Sequence, residues 1–276
     1  MHLAKTISEV RALRKQFGGS WGLVPTMGAL HEGHLSLVQR ARAENDHVAV
    51  SIFVNPTQFA PGGDFDKYPR TLERDLQRLE PHGVDLVFAP ANEEMYPPDF
   101  QTYVNVEEIT KPLEGAKRPG HFRGVATVVT KLFHIVQPDR AYFGQKDAQQ
   151  VAVIQQMVRD LNIPVEIVVG ETVREADGLA MSSRNAYLSP DERRAATILY
   201  RALCAARDAF QRGERDGETL RVVMRQVLTQ EPRAVVEYVS AADPLTLQEL
   251  DVVQDHVLVS MAVRIGTTRL IDNFLL

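Results

Sequence analysis

The chain has 276 residues, 44% of them hydrophobic, which is enough for one large globular domain or two smaller ones with a real core. Its formal net charge of −5 argues against a general nucleic-acid-binding protein, which would normally be basic, but leaves open a local basic pocket for phosphates. The single cysteine, Cys204, excludes an internal disulfide, and its apolar-rich surroundings favour a small core residue over a nucleophile.

The N-terminal segment, residues 1–19, is amphipathic and charged, and it lacks the apolar core of a secretory signal peptide. No run in the sequence approaches the roughly 18 uninterrupted apolar residues that a membrane span needs. We therefore expect a cytoplasmic enzyme that does not enter a membrane.

Strand-like and helix-like patterns alternate over the first 172 residues. Apolar strand-like runs occupy 21–27, 47–54, 84–90, 140–144 and 165–171, and a further possible strand occupies 102–107. Helical patterns occupy 33–45, 70–83, 122–136 and 147–162. Continuous apolar strands that alternate with helices predict a parallel sheet covered on both faces, which is a doubly wound α/β fold.

The pattern changes after about residue 172. A polar, irregular stretch leads to a helical pattern over 189–213, where Ser189 is the expected N-cap, Pro190 takes the first helical position and Glu192 completes a capping box. A second helix is expected over 216–230, followed by strand-like runs at 235–243 and 256–265. We therefore divide the chain into a domain of residues 1–172 and a smaller α+β domain of residues 173–276.

The stretch VPTMGALHEGH, residues 24–34, lies where the first strand turns into the first helix. Zinc proteases place their histidines four residues apart in HExxH, whereas His31 and His34 are three apart and no third ligand cluster is evident. A phosphate site fits better, because Gly28 and Gly33 allow close approach of the backbone and a helix N-terminus favours anions. The imidazoles could then donate hydrogen bonds as charge develops, although an ordinary turn with exposed histidines stays open.

A second polar segment, FGQKDAQQ at 143–150, follows the strand at 140–144. Lys146 therefore lies at the carboxyl end of a strand and beside a helix N-terminus, where a cation suits a triphosphate. A solvated loop lysine is the alternative. Asp147 could instead simply cap the N-terminus of the helix that follows.

The stretch MSSRN, residues 181–185, joins the two predicted domains and offers two hydroxyls and a guanidinium as oxyanion donors. Such a linker could close over a bound nucleotide, but Ser-Ser-Arg alone is common in loops.

A fourth segment, VNPTQF at 54–59, follows the second strand. Its amides, Asn55 and Gln58, suit the recognition of hydroxyl and carboxylate groups. Farther along, Asp64, Asp66 and Asp75 offer hard oxygen ligands for magnesium, or are simply solvated. Neither the Walker A pattern nor a GxGxxG fingerprint after a strand is present, which disfavours P-loop kinases and nicotinamide enzymes.

PTMGALHEGH, VNPTQF, FGQKD and GLAMSSRN, in this order and spacing, resemble the pantoate–β-alanine ligases over essentially the whole chain. HxGH alone would indicate only the wider nucleotidyltransferase superfamily, which shares this signature and a Rossmann-like core with class I aminoacyl-tRNA synthetases. MSSR stands where those synthetases carry a lysine-rich loop, so the roles of their lysines do not transfer.

The resemblance implies a reaction in two steps, within pantothenate and coenzyme A biosynthesis. The carboxylate of (R)-pantoate attacks the α-phosphate of Mg-ATP and gives pantoyl adenylate and pyrophosphate; the amine of β-alanine then attacks the acyl carbon and releases AMP and pantothenate. Such a reaction requires positioning and charge stabilisation rather than a covalent nucleophile on the enzyme. The resemblance also implies a homodimer, and it makes residues 1–172 the nucleotide- and pantoate-binding domain and residues 173–276 the lid.

The same resemblance assigns roles to individual residues. The catalytic residues would be His34, at the position usually assigned as proton donor, together with His31, Lys146 and Arg184. ATP would be bound by Met27, Gly28, Ala29, Leu30, His31, Glu32, Gly33, His34, Gly144, Gln145, Lys146, Asp147, Val173, Met181, Ser182, Ser183 and Arg184.

Gln58 and Gln150 would bind pantoate, and Gln58 would later contact β-alanine. Asp75 matches an acidic position associated with Mg²⁺, but Arg74 precedes it where relatives can carry a second acid. ATP as co-substrate and Mg²⁺ are thus the implied cofactors.

Two other functions stay open at this point. A nucleotidyltransferase that stops after the transfer step would keep the AMP in its product, whereas a ligase releases it. A nucleotide-binding sensor without turnover is disfavoured by His31, His34, Lys146 and Arg184, because a pure binder has no need of groups directed at developing charge.

Overall fold

The computed structural model describes residues 1–60 and 62–276. The strands are β1 (His2–Ala4), β2 (Trp21–Thr26), β3 (His47–Ile52), β4 (Leu86–Phe88), β5 (Arg140–Gly144), β6 (Glu166–Gly170), β7 (Ala234–Ala242), β8 (Leu258–Ile265) and β9 (Thr268–Leu275). The α-helices are α1 (Ile7–Gln16), α2 (Glu32–Glu44), α3 (Leu72–Leu79), α4 (Asn92–Met95), α5 (Glu114–Lys117), α6 (His121–Val136), α7 (Ala148–Asp160), α8 (Pro190–Ala195), α9 (Ile198–Gln211) and α10 (Gly217–Leu228).

The larger sheet contains six parallel strands in the order β1-β4-β3-β2-β5-β6. Successive residues of each strand enter different hydrophobic clusters, as the two-residue period of a strand requires. Leu23 of β2 packs in a cluster with α6 and α7, whereas Val24 packs in another with α2. The sheet is therefore covered on both faces, and the predicted doubly wound α/β fold is confirmed.

The winding of the chain reverses between β2 and β5. From β2 the chain adds β3 and β4 on one side, and β5 and β6 lie on the other side. In such sheets a crevice opens where the carboxyl ends of the two central strands diverge, and ligands bind there. Residues 27–31 follow β2 and the 3₁₀ turn Gln145–Asp147 follows β5, so both segments border this crevice.

The smaller sheet is antiparallel, with β8 paired to β7 on one side and β9 on the other. Its hydrophobic cluster includes Leu203 of α9, Met224 of α10 and Met261 of β8, and it is separate from the clusters of the larger sheet. This separation supports the proposed domain boundary between residues 172 and 173. A fourth, small cluster joins the two parts where Phe122 and Val153 meet Leu258.

Some local predictions were wrong. The segment 102–107 forms no strand; instead the backbone N–H of Val104 donates to Thr127 Oγ1, and the segment packs on α6. The N-terminal segment contains β1, which pairs with β4, before α1 begins. The helical pattern at 189–213 is divided into α8 and α9, although the capping box of Ser189 and Glu192 is present.

The strand β9 was not predicted from the sequence. Leu270 is buried in the cluster of the small domain, whereas Arg269 pairs with Glu114 of the larger domain and the buried Asp272 pairs with Arg174 of the small domain. Buried charged residues in the strand obscure the simple alternation of apolar and polar residues by which strands are recognised.

Gly124 allows α6 to lie directly against the 3₁₀ turn Pro56–Gln58. Asn55 Nδ2 donates to the Gly124 carbonyl at 3.2 Å. A Cβ atom at position 124 would lie 2.5 Å from the carbonyl oxygen of Thr57 and 2.7 Å from the backbone nitrogen of Gln58. The position of Gln58 therefore depends on the absence of a side chain one turn into α6.

We expect Gly124→Ala to lower the free energy of unfolding by about 1–3 kcal/mol, the usual result of inserting atoms into a packed contact. At an open position in a helix the same substitution would stabilise by about 1 kcal/mol, so the sign of the change is informative. The measurement is urea unfolding. Gly18→Ala is the control, because a Cβ there meets nothing within 4 Å; a stabilised Gly124→Ala would contradict the prediction.

Candidate active site

A cleft of about 210 Å³ opens at the carboxyl ends of β2 and β5. All four sequence motifs reach it. The predicted site residues that line it are Met27, His31, Gly33, His34, Gln58, Gly144, Lys146, Asp147, Gln150, Val173, Met181, Ser182, Ser183 and Arg184. A wider cavity of about 850 Å³ between the two domains adjoins the cleft and shares Lys146 and Arg184 with it.

The turn between β2 and α2 is held by a buried carboxylate. Gly28 and Ala29 both have positive φ values, 83° and 50°. Asp75, which is 1% exposed, accepts hydrogen bonds from the backbone N–H of Ala29 at 3.0 Å and of Leu30 at 2.8 Å, and Thr71 Oγ1 donates to it at 3.2 Å. Gly28, Ala29 and Leu30 thus shape the turn and do not line the cleft.

The same geometry does not fit the expected magnesium role of Asp75. Both of its oxygens already accept N–H donors, and the side chain is absent from the lining of the cleft. In residues 1–60 and 62–276 no group of three or more His, Cys, Asp or Glu side chains is placed to hold a metal ion. Asp75 therefore stabilises the turn between β2 and α2.

The two histidines cap the N-terminus of α2. His31 is the N-cap, and its Nδ1 accepts from the backbone N–H of Gly33 at 3.2 Å. His34 Nδ1 accepts in turn from the backbone N–H of His31 at 3.3 Å. An imidazole whose Nδ1 accepts a hydrogen bond carries its proton on Nε2 when neutral. This capping box built from imidazoles therefore leaves both Nε2–H groups as donors.

Both imidazoles are neutral near neutral pH. Burial lowers the pKa of His31 to about 4, and the nearby Lys146 and Arg78 act in the same direction. Burial lowers the pKa of His34 to about 3, and His31 is the next contribution. The rings lie with centroids 4.1 Å apart. The site therefore presents two neutral N–H donors, not two imidazolium cations.

The segment after β5 combines open space with a cation. A Cβ at Gly144 would meet nothing within 4 Å, so the glycine leaves room at the cleft that a ligand can use. In the described part of the chain no salt bridge involves Lys146, and its side chain lines both cavities. Asp147 occupies the N-cap position of α7, but its side chain makes no capping hydrogen bond.

The linker 181–185 is tied to the larger domain. Arg184 Nε donates to Asp64 Oδ2 at 2.9 Å, and Ser183 Oγ lies 3.0 Å from the hydroxyl of Tyr68. Ser182 caps the 3₁₀ helix Ser183–Tyr187. The predicted oxyanion donors are thus present at the cleft, with Arg184 paired to a carboxylate.

The amide residues line the same cleft. Asn55 Nδ2 donates to Gln58 Oε1 at 2.9 Å, which fixes the orientation of the Gln58 amide. The amide nitrogen of Gln58 lies 3.3 Å from Met27 Sδ, a weak acceptor, so it is available to a stronger one. Gln150, on α7, lines the same cleft.

Tyr68, Arg118 and His121 are among the lining residues that were not predicted from the sequence. His121 Nδ1 donates to the carbonyl of Gln58 at 2.9 Å, so its Nε2 is an acceptor, and Arg118 Nη1 lies 3.3 Å from it. Burial lowers the pKa of His121 to about 4. The sequence signal was GHFRG at 120–124, where a histidine opens a helix directly after a glycine.

Two predicted nucleotide-binding residues point elsewhere. Glu32 is exposed and pairs with Arg78. The amide of Gln145 donates to Asn273 Oδ1 at 3.3 Å, toward the small domain.

Comparisons with known proteins agree with the resemblance of the sequence motifs. The model of the family "Pantoate-beta-alanine ligase" matches residues 2–275. The pantothenate synthetases of Roseiflexus sp. (strain RS-1) and Herpetosiphon aurantiacus are 63% and 61% identical, the first over 100% of this chain and 99% of its own length, the second over 100% of both.

Among solved structures, pantothenate synthetase from Thermus thermophilus superposes with a TM-score of 0.96 at 52% identity over 99% of both chains. The pantoate-β-alanine ligase from Francisella tularensis, complexed with "Beta-gamma ATP and Beta-alanine", gives 0.82 at 38% identity over 100% of this chain and 97% of that one.

The lowered histidine pKa values predict a loss of stability in acid. Above the ordinary pKa of 6.5, His31 and His34 are neutral in both the folded and the unfolded chain. As the pH falls below 6.5, these histidines become protonated in the unfolded chain but stay neutral in the folded one. The free energy of unfolding therefore decreases toward pH 4. His34→Asn keeps an acceptor for the His31 N–H but removes one buried neutral imidazole. The free energy of unfolding should therefore fall less steeply with decreasing pH than in wild type.

The measurement is the free energy of urea unfolding at pH 7, 6 and 5. His256→Asn, at an exposed histidine, is the matched control and should leave the slope of wild type unchanged. Equal slopes in wild type and His34→Asn would contradict the assignment of His34 as a buried neutral imidazole.

Proposed function

The chain belongs to the pantoate–β-alanine ligase family, and we propose that its cleft joins pantoate to β-alanine through a pantoyl-adenylate intermediate. Family membership makes it an ATP-using ligase that forms pantothenate. The observation that carries the proposed mechanism is that two neutral imidazole donors, two cations and the amides of Gln58 and Gln150 line one cleft.

In the first step, the pantoate carboxylate attacks the α-phosphorus of ATP. A new P–O bond forms, the bond to the β-phosphate breaks, and pyrophosphate leaves with additional negative charge. Lys146 and Arg184 stabilise that charge electrostatically, and the N–H groups at the start of α2 favour the phosphate chain. Arg184 exchanges Asp64 for phosphate oxygens when the nucleotide binds.

The histidines act as hydrogen-bond donors in this proposal. With a pKa of about 3, His34 holds no extra proton to transfer at neutral pH. Its Nε2–H therefore stabilises the developing charge through a hydrogen bond from a fixed position. This refines the role of proton donor that the sequence resemblance implies.

In the second step, the amine of β-alanine attacks the activated acyl carbon and AMP leaves. Gln58 and Gln150 orient pantoate so that its carboxylate meets first the phosphorus and then, as an acyl group, the amine. A site that hydrogen-bonds a substrate hydroxyl discriminates strongly against an analogue that lacks it. The amides therefore provide selection for a hydroxy acid.

Mg²⁺ enters this proposal with the nucleotide. Asp75 does not fit a metal ligand, so the ion would come with the triphosphate and would neutralise part of its charge. The lid role of residues 173–276, a homodimer and a cytoplasmic location are further parts of the proposal. No helix in the described residues is long and apolar enough to cross a membrane.

We expect exchange of label between pyrophosphate and ATP that requires pantoate and does not require β-alanine. The reason is that the phosphate-binding groups and the amide residues meet in one cleft, so adenylation can be completed before the amine binds. The measurement uses radiolabelled pyrophosphate with each substrate omitted in turn. Exchange seen only in the presence of β-alanine would exclude a free adenylate.

Measuring free AMP in the same reactions separates the ligase from a nucleotidyltransferase that stops after one transfer. The ligase releases AMP when β-alanine is added, whereas the alternative enzyme retains AMP in its product.

We also expect His34→Asn to lower kcat for pantoyl-adenylate formation by about 10²–10³, the usual effect of losing one preorganised donor. The dissociation constant for ATP should stay close to that of wild type, because the backbone donors at α2 remain and an interaction made mainly in the transition state affects kcat. The asparagine can still accept from the His31 N–H, so the melting temperature should also change little.

His31→Asn should act in the same direction, since asparagine is a good N-cap and lacks the Nε2–H donor. Normal kcat together with a lowered melting temperature in both variants would show that the histidines are structural only.

A further inference from the structure

The last strand of the small domain makes a contact with the phosphate-facing loop that the reaction scheme does not use. Asn273, on β9, is 4% exposed. Its Nδ2 donates to the carbonyl oxygens of Gln145 at 3.0 Å and of Lys146 at 2.9 Å, and its Oδ1 accepts from the amide of Gln145 at 3.3 Å. An amide nitrogen has two hydrogens, and both are committed here to two successive carbonyls of one turn.

These carbonyls belong to the larger domain. The turn Gln145–Asp147 follows β5 at the crevice of the parallel sheet, whereas β9 belongs to the antiparallel sheet. No salt bridge holds the ammonium of Lys146 in the described residues. The fold therefore orients this side chain only through the backbone of the turn. That backbone is fixed from across the domain contact.

Asn273 is itself held firmly. Its neighbour Asp272 is buried and accepts two hydrogen bonds from Arg174, at 2.7 and 2.9 Å. Asp272 Oδ1 also accepts from the backbone N–H of Asn273 at 2.8 Å, and Arg174 Nη2 donates to the Asn273 carbonyl at 3.3 Å. Because Arg174 directly follows Val173 in the wall of the cleft, β9 anchors both the Lys146 turn and this wall.

We propose that Asn273 is a positioning residue that aims Lys146 at the phosphates of ATP. The inference rests on the proposed function, since it assigns Lys146 to the phosphates. Without the two hydrogen bonds the turn can rotate its peptide groups, and the long lysine side chain then leaves the reaction geometry. A displacement of about 1 Å is enough to reduce catalysis strongly.

The test is a double-mutant cycle on pantoate-dependent pyrophosphate exchange, with Asn273→Ala, Lys146→Ala and the combination. We expect Asn273→Ala to lower kcat/KM for ATP by about tenfold, the size expected from losing two ordinary hydrogen bonds, while KM for pantoate changes less than about twofold. In the Lys146→Ala background the second substitution should have no further effect.

Tyr238→Phe is the matched control, since it removes another hydrogen bond between the domains, from the Tyr238 hydroxyl to Glu114 Oε1 at 2.9 Å, which does not involve the turn Gln145–Asp147. It should leave exchange unchanged. If Asn273→Ala does not fold, Asn273→Asp is measured instead; it has the same shape but places one carboxylate oxygen against both carbonyls, and the same loss is expected.

An equal loss in both Lys146 backgrounds, an equal loss in Tyr238→Phe, or no loss at all would overturn the positioning role. Absence of exchange in the wild-type protein would overturn the proposed function instead, before any variant is compared.

Discussion

The carboxylate of Asp75 is the constraint on which the chemistry of the cleft depends. It pairs with the N–H groups of Ala29 and Leu30 and so holds a turn whose backbone lies in the left-handed region at two successive residues. A non-glycine residue in that region is unfavourable unless its surroundings impose it. Because the turn is imposed, His31 arrives at the N-cap of α2 with its ring directed back onto the helix.

The protonation of the site follows from that geometry. Each Nδ1 is occupied by a backbone N–H, and burial keeps both rings neutral, so the imidazoles supply direction without charge. Positive charge is supplied separately, by Lys146 and Arg184. This division suits a reaction in which a highly charged substrate must bind but its products must also leave, because fixed dipoles stabilise developing charge without holding an anion as strongly as further cations would.

Local patterns in the sequence predicted the parts of the site that depend on neighbouring residues. Strand, glycine-containing turn and helix follow one another at 21–45, and Lys146 follows a strand directly, so their placement at the carboxyl ends of parallel strands could be inferred. Asp75 and His121 could not be assigned in this way. Their partners lie 45 and 63 residues away in the chain, and a buried carboxylate and a surface one look alike in a sequence. The strand β9 was missed for a related reason, since its charged residues Arg269 and Asp272 pair with Glu114 and Arg174, which are distant in the chain.

The position of β9 in the chain has a consequence for biosynthesis. Domains generally fold in the order in which the ribosome produces them, and all strands of the larger sheet precede residue 172. The crevice can therefore form while the small domain is still being translated. The hydrogen bonds from Asn273 to the Lys146 turn cannot form until β9 has been synthesised and has paired with β8. A nascent chain thus completes the proposed ATP-binding surface late, after the hydrophobic clusters of the larger sheet can already be buried.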